Sequence, residues 1–358
     1  MKKNLRIIII LCSLSLTFAK YLYAVNNEKQ NKKEPWSIVL IPDTQAYVYN
    51  SKNAIIFTEI TKWISTNKKK ENIKLVLHLG DITYYNSPKE WNNAQKSMFV
   101  LNNELPYIMC IGNHDIGNGG KSQTRTTLFN EYFKITNNKL NEKLLVETYE
   151  KGKLENACFT FSQAGKKYLL LTLEFAPRDK VIDWADKMAK QYSNHEIILI
   201  THEFIDEHSQ VLSKNKIPLR SSDNTPGNAK RYNLNNHKGG VNNGNNIWNK
   251  LILKNKNFIL IANGHYMSWE KTAGGELKKL PYIASAHRSD KISGGKTVHQ
   301  LLFNAQWIPN GGDGWVQILT FYPKQKKIKV RTFSPYLQKK EVKCELDEKD
   351  FKFELKMD

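Results

Sequence analysis

LVLHLGD at residues 75–81 is an apolar run that ends in a Gly-Asp pair, and four further fragments of the chain follow the same design. Each places residues with oxygen or nitrogen ligand atoms directly after an apolar run that predicts a buried strand. These fragments are PDTQ at 42–45, GNHD at 112–115, TH at 201–202 and GH at 264–265. Because a sheet holds the backbone still where a strand ends, such positions commonly carry metal-binding and catalytic residues. Together the five strand ends predict one metal site.

Apolar runs alternate with helical patterns over most of the chain, which predicts an α/β fold with a largely parallel sheet. Strands are predicted at 37–42, 74–79, 107–111, 157–163, 167–173, 196–201 and 257–262. Helices are predicted at about 52–67, 88–103, 178–192 and 245–254. Short β-like runs follow at 281–286, 298–305, 314–322 and 326–332, with a hairpin turn at 322–327. These later runs extend the first sheet or form a second one.

Two stretches interrupt this alternation. Residues 205–245 are rich in Asn, Ser, Gly and Lys, and they lie between two of the predicted ligands. A loop of this length inside a compact domain is usually functional or disordered, so we expect a lid or a substrate-selecting loop. Residues 341–358 are dense in charge and are expected to form a C-terminal tail.

The N-terminus has the pattern of a secretory signal peptide. Three basic residues precede an apolar run at 7–18, and the small residues Ala19 and Ala24 follow. The run is short for a membrane span, so we expect cleavage after Ala24 and export to the periplasm or beyond the cell. A retained N-terminal anchor is the alternative. With a cleaved signal peptide, the signal covers residues 1–24, a flexible lead-in covers 25–35, and the folded domain covers 36–340.

The net charge of +20 is spread over scattered lysines in a sequence rich in Asn and Ile. A basic chain can attract nucleic acid, anionic polysaccharide or membrane surfaces. No RNA- or DNA-binding motif accompanies the charge, which argues against nucleic acid as a specific partner. The cysteines include no CxxC pair, so the sequence predicts neither a zinc knuckle nor a redox site.

The ordered set of five loops resembles the calcineurin-like metallophosphoesterases from about residue 37 to 335. Its most discriminating fragment is GNHD, and the opening PDTQ is similar to a secreted bacterial branch of that superfamily. Four further fragments share this likeness: LHLGD at 77–81, LEFAPRD at 173–179, PNGGDGW at 309–315 and RTFSPYL at 331–337. The resemblance implies a four-layer sandwich of two packed mixed β-sheets flanked by helices. It also implies hydrolysis of a phosphomonoester or phosphodiester by metal-bound hydroxide.

The resemblance implies two metal sites that share one carboxylate. One site would use Asp81, Asn113, His202 and His265, all of which are present. The other would use Asp43 and Asp81 with two histidines, but here Gln45 and Met267 stand in their places. An amide oxygen suits Mg²⁺, Mn²⁺ or Ca²⁺, whereas a thioether does not. We therefore expect one or two divalent ions (Zn, Mn, Fe, Mg or Ca), with a weak, oxygen-rich second site.

The same resemblance suggests roles beside the metals. His114 would protonate the leaving oxygen as a general acid, and Asp115 would orient its ring. Arg178 is a candidate phosphate clamp because its planar guanidinium matches two oxygens. Asn304 and Gln306 are candidates for substrate contact because they come just before PNGGDG.

Other interpretations stay open on the sequence alone. Asp43, Asp81 and Asn113 are also residue types that form turns after strands. The losses at Gln45 and Met267 are compatible with a catalytically silent module that binds a metal or a ligand. An adhesin that acts through its charge would instead bind partners in a salt-sensitive way. The identity of a phosphorylated substrate is not encoded in any motif.

Overall fold

The computed structural model describes most of the chain beyond residue 33. The described ranges are 34–206, 217–225, 227–232, 234, 239–267, 269–271, 277–279, 282–292 and 294–358. The expected signal peptide at 1–24 lies outside them, as does the lead-in except for residues 34 and 35. Within these ranges, no helix combines the length and the apolar character needed to cross a membrane.

Two large sheets account for most of the strands. In chain order the strands are β1 (Trp36–Ile41), β2 (Ile73–His78), β3 (Tyr107–Met109), β4 (Leu145–Thr148), β5 (Ala157–Gln163), β6 (Lys166–Thr172), β7 (Glu196–Ile200), β8 (Ile205–Asp206), β9 (Leu219–Arg220), β10 (Phe258–Asn263), β11 (Trp269–Lys271), β12 (Leu277–Lys279), β13 (Ala284–Lys291), β14 (Thr297–Asn304), β15 (Val316–Tyr322), β16 (Lys327–Phe333), β17 (Glu345–Leu346) and β18 (Lys352–Lys356).

Both sheets mix parallel and antiparallel pairs. The first has the order β17-β16-β15-β1-β2-β3, with β18 also on β16, and β1, β2 and β3 run parallel. The second has the order β13-β14-β10-β7-β6-β5-β4, and β6, β7, β10 and β14 run parallel. Two small ribbons pair β8 with β9 and β11 with β12. The parallel centre of each sheet brings several strand ends to one edge.

Helices cover the outer faces of the sheets. They are α1 (Gln45–Tyr49), α2 (Ala54–Asn67), α3 (Pro88–Met98), α4 (Phe129–Tyr132), α5 (Lys139–Leu144), α6 (Asp179–Gln191), α7 (Gly244–Ile247), α8 (Pro309–Gly312) and α9 (Pro335–Lys339). A π-helical turn, Trp248–Ile252, continues α7, and a 3-10 turn, Phe99–Leu101, follows α3.

The strand residues alternate between two apolar layers. In β1, Ile38 and Leu40 pack between the sheets, whereas Val39 and Ile41 pack against the helices that cover the first sheet. On the second sheet, Leu199 faces the layer formed with α6 and the turn after α7. A strand buried on both faces reads as a continuous apolar run, as these do. The order helix, sheet, sheet, helix is the four-layer sandwich expected from the sequence.

The C-terminus differs from its expectation. Residues 341–358 were expected to form a tail, but β17 and β18 pair with β16 in the first sheet. Leu355 lies opposite Ile328 and is only 3% exposed, while its neighbours Glu354 and Lys356 are exposed to solvent. The charge density hid a strand alternation in which every second residue is apolar or half-buried. The tail prediction was therefore wrong.

The long segment at 205–245 is described in part. Its ends form β8 and β9, and residues 229–231 form a 3-10 turn. Residues 207–216, 226, 233 and 235–238 lie outside the described ranges. Leu234 is buried in the apolar layer on the outer side of the first sheet, so at least this part of the segment packs against the domain.

Candidate metal centre

Three loops from the two sheets place a carboxylate and two imidazoles together. Asp81 follows β2, while His202 follows β7 and His265 follows β10. One ligand atom from each of the three lies within 4.8 Å of the others, and all three side chains are buried. Asp81 Oδ1 is 3.1 Å from His202 Nε2. The two sheets thus meet at the edge where the sequence predicts a metal.

Glycines make room for this cluster. A Cβ on Gly80 would lie 2.6 Å from His202 Nδ1, and one on Gly112 would lie 2.1 Å from Asp81 Oδ1. Likewise, a Cβ on Gly264 would lie 2.1 Å from Asp43 Oδ1. Since real contacts of this kind are longer, a side chain at any of these positions would push the neighbouring carboxylate or imidazole out of place. The Gly of each GD, GNHD and GH fragment is therefore required by packing around the site.

Asp81 itself adopts a conformation that is uncommon for residues with a Cβ. Its φ is +47°, and that of His265 is +70°. Such left-handed conformations cost free energy in non-glycine residues and concentrate at functional sites. The Asp81 carbonyl accepts hydrogen bonds from the N–H groups of Thr44 (3.1 Å) and Gln45 (2.9 Å), which tie the loop after β1 to the loop after β2.

Both imidazoles are oriented by backbone carbonyls. His202 Nδ1 donates to the carbonyl of Leu79 at 2.7 Å, which leaves Nε2 directed at Asp81. His265 Nε2 donates to the carbonyl of Gly227 at 2.7 Å, which leaves Nδ1 as its ligand atom. A hydrogen bond on one ring nitrogen fixes the tautomer and frees the other nitrogen for a metal.

Asn113 adds an amide oxygen to the cluster. It follows β3 in the GNHD fragment and lines the same cavity as Asp81 and His265. Its Oδ1 is buried and has no hydrogen-bond partner among the described residues. Buried polar atoms without partners are rare in folded proteins because desolvation is costly. An ion held by Asn113, Asp81, His202 and His265 would satisfy this oxygen.

Electrostatics within the cluster favour an ionised carboxylate. Burial alone would raise the pKa of Asp81, but His202 and His114 hold it below the usual range. Burial would lower the pKa of His202, yet Asp81 and Asp43 raise it to about 10. For His265, burial and the neighbouring His202 lower the pKa to about 3. The protein alone thus pairs an anionic Asp81 with a cationic His202, beside a neutral His265.

A network of amide side chains surrounds the Asp43 carboxylate. Its Oδ2 accepts hydrogen bonds from Asn304 Nδ2 at 2.8 Å and Gln306 Nε2 at 3.3 Å. Gln45 Nε2 in turn donates to Gln306 Oε1, which leaves Gln45 Oε1 buried and without a partner among the described residues. Burial is the main cause that raises the pKa of Asp43 well above its usual value. The network ends in a free amide oxygen at the position where a histidine was expected.

This network gives Asn304 and Gln306 a different place from the one predicted. Both were candidates for substrate contact, but their amide groups bind the Asp43 carboxylate. The Gln306 N–H also donates to Asn304 Oδ1 at 3.0 Å, which turns the Asn304 amino group toward Asp43. They orient a carboxylate of the site. Gln306 also lines the cavity, together with Met267, which is 8% exposed.

His114 lies at the edge of the cluster. Its backbone N–H donates to Asp81 Oδ1 at 2.9 Å, and its ring Nδ1 donates to the carbonyl of Tyr84 at 2.9 Å. The ring is half-buried and lines the cavity, so its Nε2 is the nitrogen that remains for a ligand.

Asp115 has a structural task instead of the expected one. Its carboxylate accepts the N–H groups of Gly112 (2.8 Å), Ile82 (3.0 Å) and Thr83 (2.7 Å), and the Thr83 hydroxyl at 2.9 Å. These bonds tie the GNHD loop to the GD loop. The expectation that Asp115 orients the His114 ring was wrong, because the Tyr84 carbonyl takes that role. Burial and the nearby Asp81 raise the pKa of Asp115 to about 6 despite these bonds.

The chain also matches a known protein family. The family model described as calcineurin-like phosphoesterase matches residues 37–355, which is most of the chain. The chain belongs to the calcineurin-like phosphoesterase family. Membership supports its assignment as a hydrolase that acts on phosphoric ester bonds. Members of this family use divalent metals, and the buried Asp81, His202 and His265 form a group able to hold one.

Individual relatives are distant. The uncharacterized protein YvnB of Bacillus subtilis (strain 168) is 27% identical over 324 residues, which are 88% of this chain and 21% of that protein. The chain therefore spans about a fifth of the length of this curated relative. A dimetal phosphatase from Danio rerio has a TM-score of 0.47 at 9% identity, over 91% of this chain and 100% of the other. A purple acid phosphatase from yellow lupin has a TM-score of 0.47 at 12% identity, over 91% and 54%.

In this member of the family, Arg178 is not among the residues that line the cavity of the candidate metal centre. Its guanidinium binds both carboxylate oxygens of Glu174, at 2.8 and 3.0 Å, and Glu150 at 3.1 Å. It lines a separate cavity of about 490 Å³ with Arg125, whereas the cavity at the metal centre measures about 460 Å³. Two carboxylates already occupy the donors that a phosphate would need. The structure therefore does not support Arg178 as a phosphate clamp.

Three further residues shape the site, and of these Phe175 and Tyr232 were not predicted. Phe175 packs against both His202 and His265, with ring centroids 5.8 and 5.4 Å away. Tyr232 lies 5.6 Å from His265 and belongs to the long segment at 205–245. His78 is buried, and its Nε2 bonds the hydroxyl of Thr44 at 3.0 Å, so it braces the PDTQ loop. In the sequence, the signal that Phe175 belongs to the site was its position in the LEFAPRD fragment at 173–179.

Proposed function

We propose that this chain is an exported, metal-dependent phosphoesterase that hydrolyses a phosphomonoester or a phosphodiester. The observation that carries the proposal is the buried cluster of Asp81, His202 and His265 beside the unpartnered oxygen of Asn113. A protein gains nothing in stability from burying these groups unless a cation or a reaction uses them. Export rests on the N-terminal pattern of residues 1–24, and the PDTQ opening relates the chain to a secreted branch of the family.

The chain's own residues divide the work around the ions. Asp81, Asn113, His202 and His265 would hold one divalent cation, and Asp43, Gln45 and Asp81 would hold a second. When bound, such cations supply Lewis acidity that activates water and offsets the charge on the phosphate oxygens. Asn304 and Gln306 donate hydrogen bonds to the Asp43 carboxylate and would hold it in place for the second ion. Two carboxylates and an amide make that second site richer in oxygen than the first.

His114 would act on the leaving group. Its Nδ1 proton is bound to the Tyr84 carbonyl, so the ring is held at a fixed angle beside Asp81. The remaining Nε2 faces the cavity and can donate a proton or a hydrogen bond to the leaving oxygen. This is the role of a general acid.

The segment at 205–245 is proposed to select the substrate as a lid. Two contacts in its described part support this: the Gly227 carbonyl accepts the His265 Nε2 proton, and the Tyr232 ring packs on His265. Gly227 and Tyr232 also line the cavity. A ligand that enters must therefore pass next to this segment.

A silent metal-binding or ligand-binding module is the second candidate. Gln45 and Met267 favour it, because both replace histidines expected at one of the two metals. Against it stand the complete set of ligands at the other metal and the orientation of His114.

Substitution of one ligand separates the two candidates. We expect His202→Ala to lose bound metal and at least 100-fold of phosphoester hydrolysis, since it removes a buried imidazole from the cluster. The matched control is His195→Ala, whose half-buried ring bonds Asn194, packs on Tyr192 and does not line the cavity of the metal centre. Full retention of hydrolysis in the folded His202→Ala protein would refute the proposed site.

A further inference from the structure

Three tyrosines form an exposed cluster at the mouth of the metal centre. Tyr49, Tyr84 and Tyr85 are 53%, 36% and 45% exposed. Their ring centroids are 5.5 Å (Tyr49–Tyr84), 5.4 Å (Tyr49–Tyr85) and 4.7 Å (Tyr84–Tyr85) apart. Tyr84 lies in turn 4.8 Å from the ring of His114 and lines the cavity of about 460 Å³. The cluster thus begins beside His114 in the cavity and extends toward solvent.

This cluster is held in place by the loops that carry the ligands. Tyr49 ends the helix that begins at Gln45, and Tyr84 comes three residues after Asp81. The Tyr85 N–H donates to Glu90 at 3.0 Å, and the carbonyl of Val48 accepts from Asn93 at 2.9 Å, both on α3. These bonds fix the backbone that carries the rings relative to the loops of the metal ligands. A preorganised surface binds its ligand with little loss of conformational entropy.

The Tyr85 ring stands at a steep angle to the other two rings, and the three rings do not form a buried core. Tyr85 stands at 77° to Tyr49 and at 67° to Tyr84, while Tyr49 and Tyr84 are inclined by 36°. Edge contacts of this kind leave ring faces open to solvent, in keeping with the exposure of all three side chains. Clustered exposed apolar surface beside a polar pocket is a common sign of a ligand site.

We propose that Tyr49, Tyr84 and Tyr85 form a stacking subsite for a planar base, which makes nucleotides the substrate class. The inference rests on the proposed function, because it places the phosphate at the metal ligands and the leaving oxygen at His114. The group attached to that oxygen then lies against Tyr84 and its two neighbours. Stacking of a base on an aromatic side chain is favourable and does not depend on which base is present.

The test compares esters that differ only in the base. Adenosine 5′-monophosphate and ribose 5-phosphate are offered to the metal-loaded full chain, each as the free monoester and as its methyl diester. We expect kcat/KM to be at least tenfold higher for the adenosine ester of whichever pair is hydrolysed. In the Tyr49→Leu/Tyr84→Leu/Tyr85→Leu variant, this ratio should fall toward one.

Tyr322→Leu is the matched control. Its ring lies at the far end of the first sheet, since its neighbour Phe321 pairs with Trp36 at the start of β1, whereas Asp43 follows the end of β1. The control should keep the preference for the adenosine ester. If the triple variant does not fold, Tyr85→Leu replaces it and should lower the same ratio.

The outcomes distinguish this inference from the proposed function. Equal kcat/KM for adenosine and ribose esters in the unmodified chain would overturn the subsite while leaving the phosphoesterase intact. Hydrolysis of none of the esters would count against the proposed function, and the subsite is then judged by calorimetric binding. Binding of adenosine 5′-monophosphate at least tenfold tighter than ribose 5-phosphate, lost in the triple variant, would support it, and equal binding would overturn it.

Discussion

At the scale of single residues, the metal centre depends on atoms that the protein itself leaves without partners. Asn113 Oδ1 and Gln45 Oε1 are buried and lack hydrogen bonds among the described residues. Neighbouring carboxylates are held by hydrogen bonds: Asp115 by backbone N–H groups, and Asp43 by Asn304 and Gln306. The surrounding hydrogen bonds fix the ligands and leave these two oxygens directed into the site.

The second metal site should respond to restoring its missing histidines. We expect Gln45→His/Met267→His to raise affinity for a second zinc or manganese ion, because imidazole binds these ions more tightly than an amide or a thioether. Metal content after dialysis and calorimetric titration measure the effect. Gln163→His, at the end of β5, controls for the mere addition of a histidine. A stoichiometry that does not change in the double variant would contradict the ligand assignment.

His114 should affect turnover and not metal binding. We expect His114→Asn to lower kcat by about 100- to 10,000-fold, the range typical of a general acid. Bound metal should remain at the unmodified level, since the ring is not among the ligand group. Steady-state kinetics and metal analysis on the same sample test both statements. Loss of metal together with activity would show that His114 is a ligand after all.

The sequence predicted which residues come together better than it predicted their contacts. The ligand types and their order follow from the five fragments, because a strand end limits where a side chain can project. The roles of Arg178 and Asp115 could not be inferred in this way. Their partners, Glu174 and the N–H groups of Gly112, Ile82 and Thr83, are determined by side-chain direction and loop closure. Neither property has a periodic signal in the sequence.

At the scale of elements, apolar runs predicted strands well where both faces of the strand are buried. β1, β2, β7 and β10 each lie within about one residue of the predicted runs. Short elements were missed because they carry no long pattern: α1 has five residues and β4 has four. The helix predicted to run to 103 ends at Met98 and tightens into a 3-10 turn. The C-terminal strands were hidden by lysines and glutamates on their exposed positions.

The C-terminal strand should contribute to stability. We expect Leu355→Ala to lower the free energy of unfolding by about 2–4 kcal/mol, because a leucine that is 3% exposed leaves a cavity between β18 and the sheet interior. Denaturant titration measures the change. Val342→Ala, at a position that is 52% exposed, should change it by less than about 0.5 kcal/mol. A change at Leu355 as small as that of the control would mean that residues 341–358 behave as the tail first expected.

At the scale of the whole molecule, the site exists because two sheets pack face to face. Asp43, Asp81 and Asn113 follow strands of the first sheet, whereas His202 and His265 follow strands of the second. The interior between them is apolar and continuous, with Trp36 stacked on Phe321 and packed against Tyr168. This packing sets the distance between the two sets of proposed ligands.

The surface charge fits a solvated exterior better than a specific polyanion site. Many lysines are paired with carboxylates at the surface, as in Lys327 with Glu354 and Lys190 with Asp186. Such exposed pairs contribute little to stability and are weakened by salt. The scattered pattern seen in the sequence thus persists in three dimensions.

The central claim is that this fold hydrolyses a phosphoester with the help of a bound divalent ion. The most direct measurement is hydrolysis of p-nitrophenyl phosphate and bis(p-nitrophenyl) phosphate by the metal-stripped full chain, titrated with Zn²⁺, Mn²⁺, Mg²⁺ and Ca²⁺. We predict that hydrolysis of one of these esters returns with at least one ion, and that His202→Ala stays inactive with all four. Absence of hydrolysis with every ion, in a chain that still binds one of them tightly, would contradict the account and favour a silent binding module.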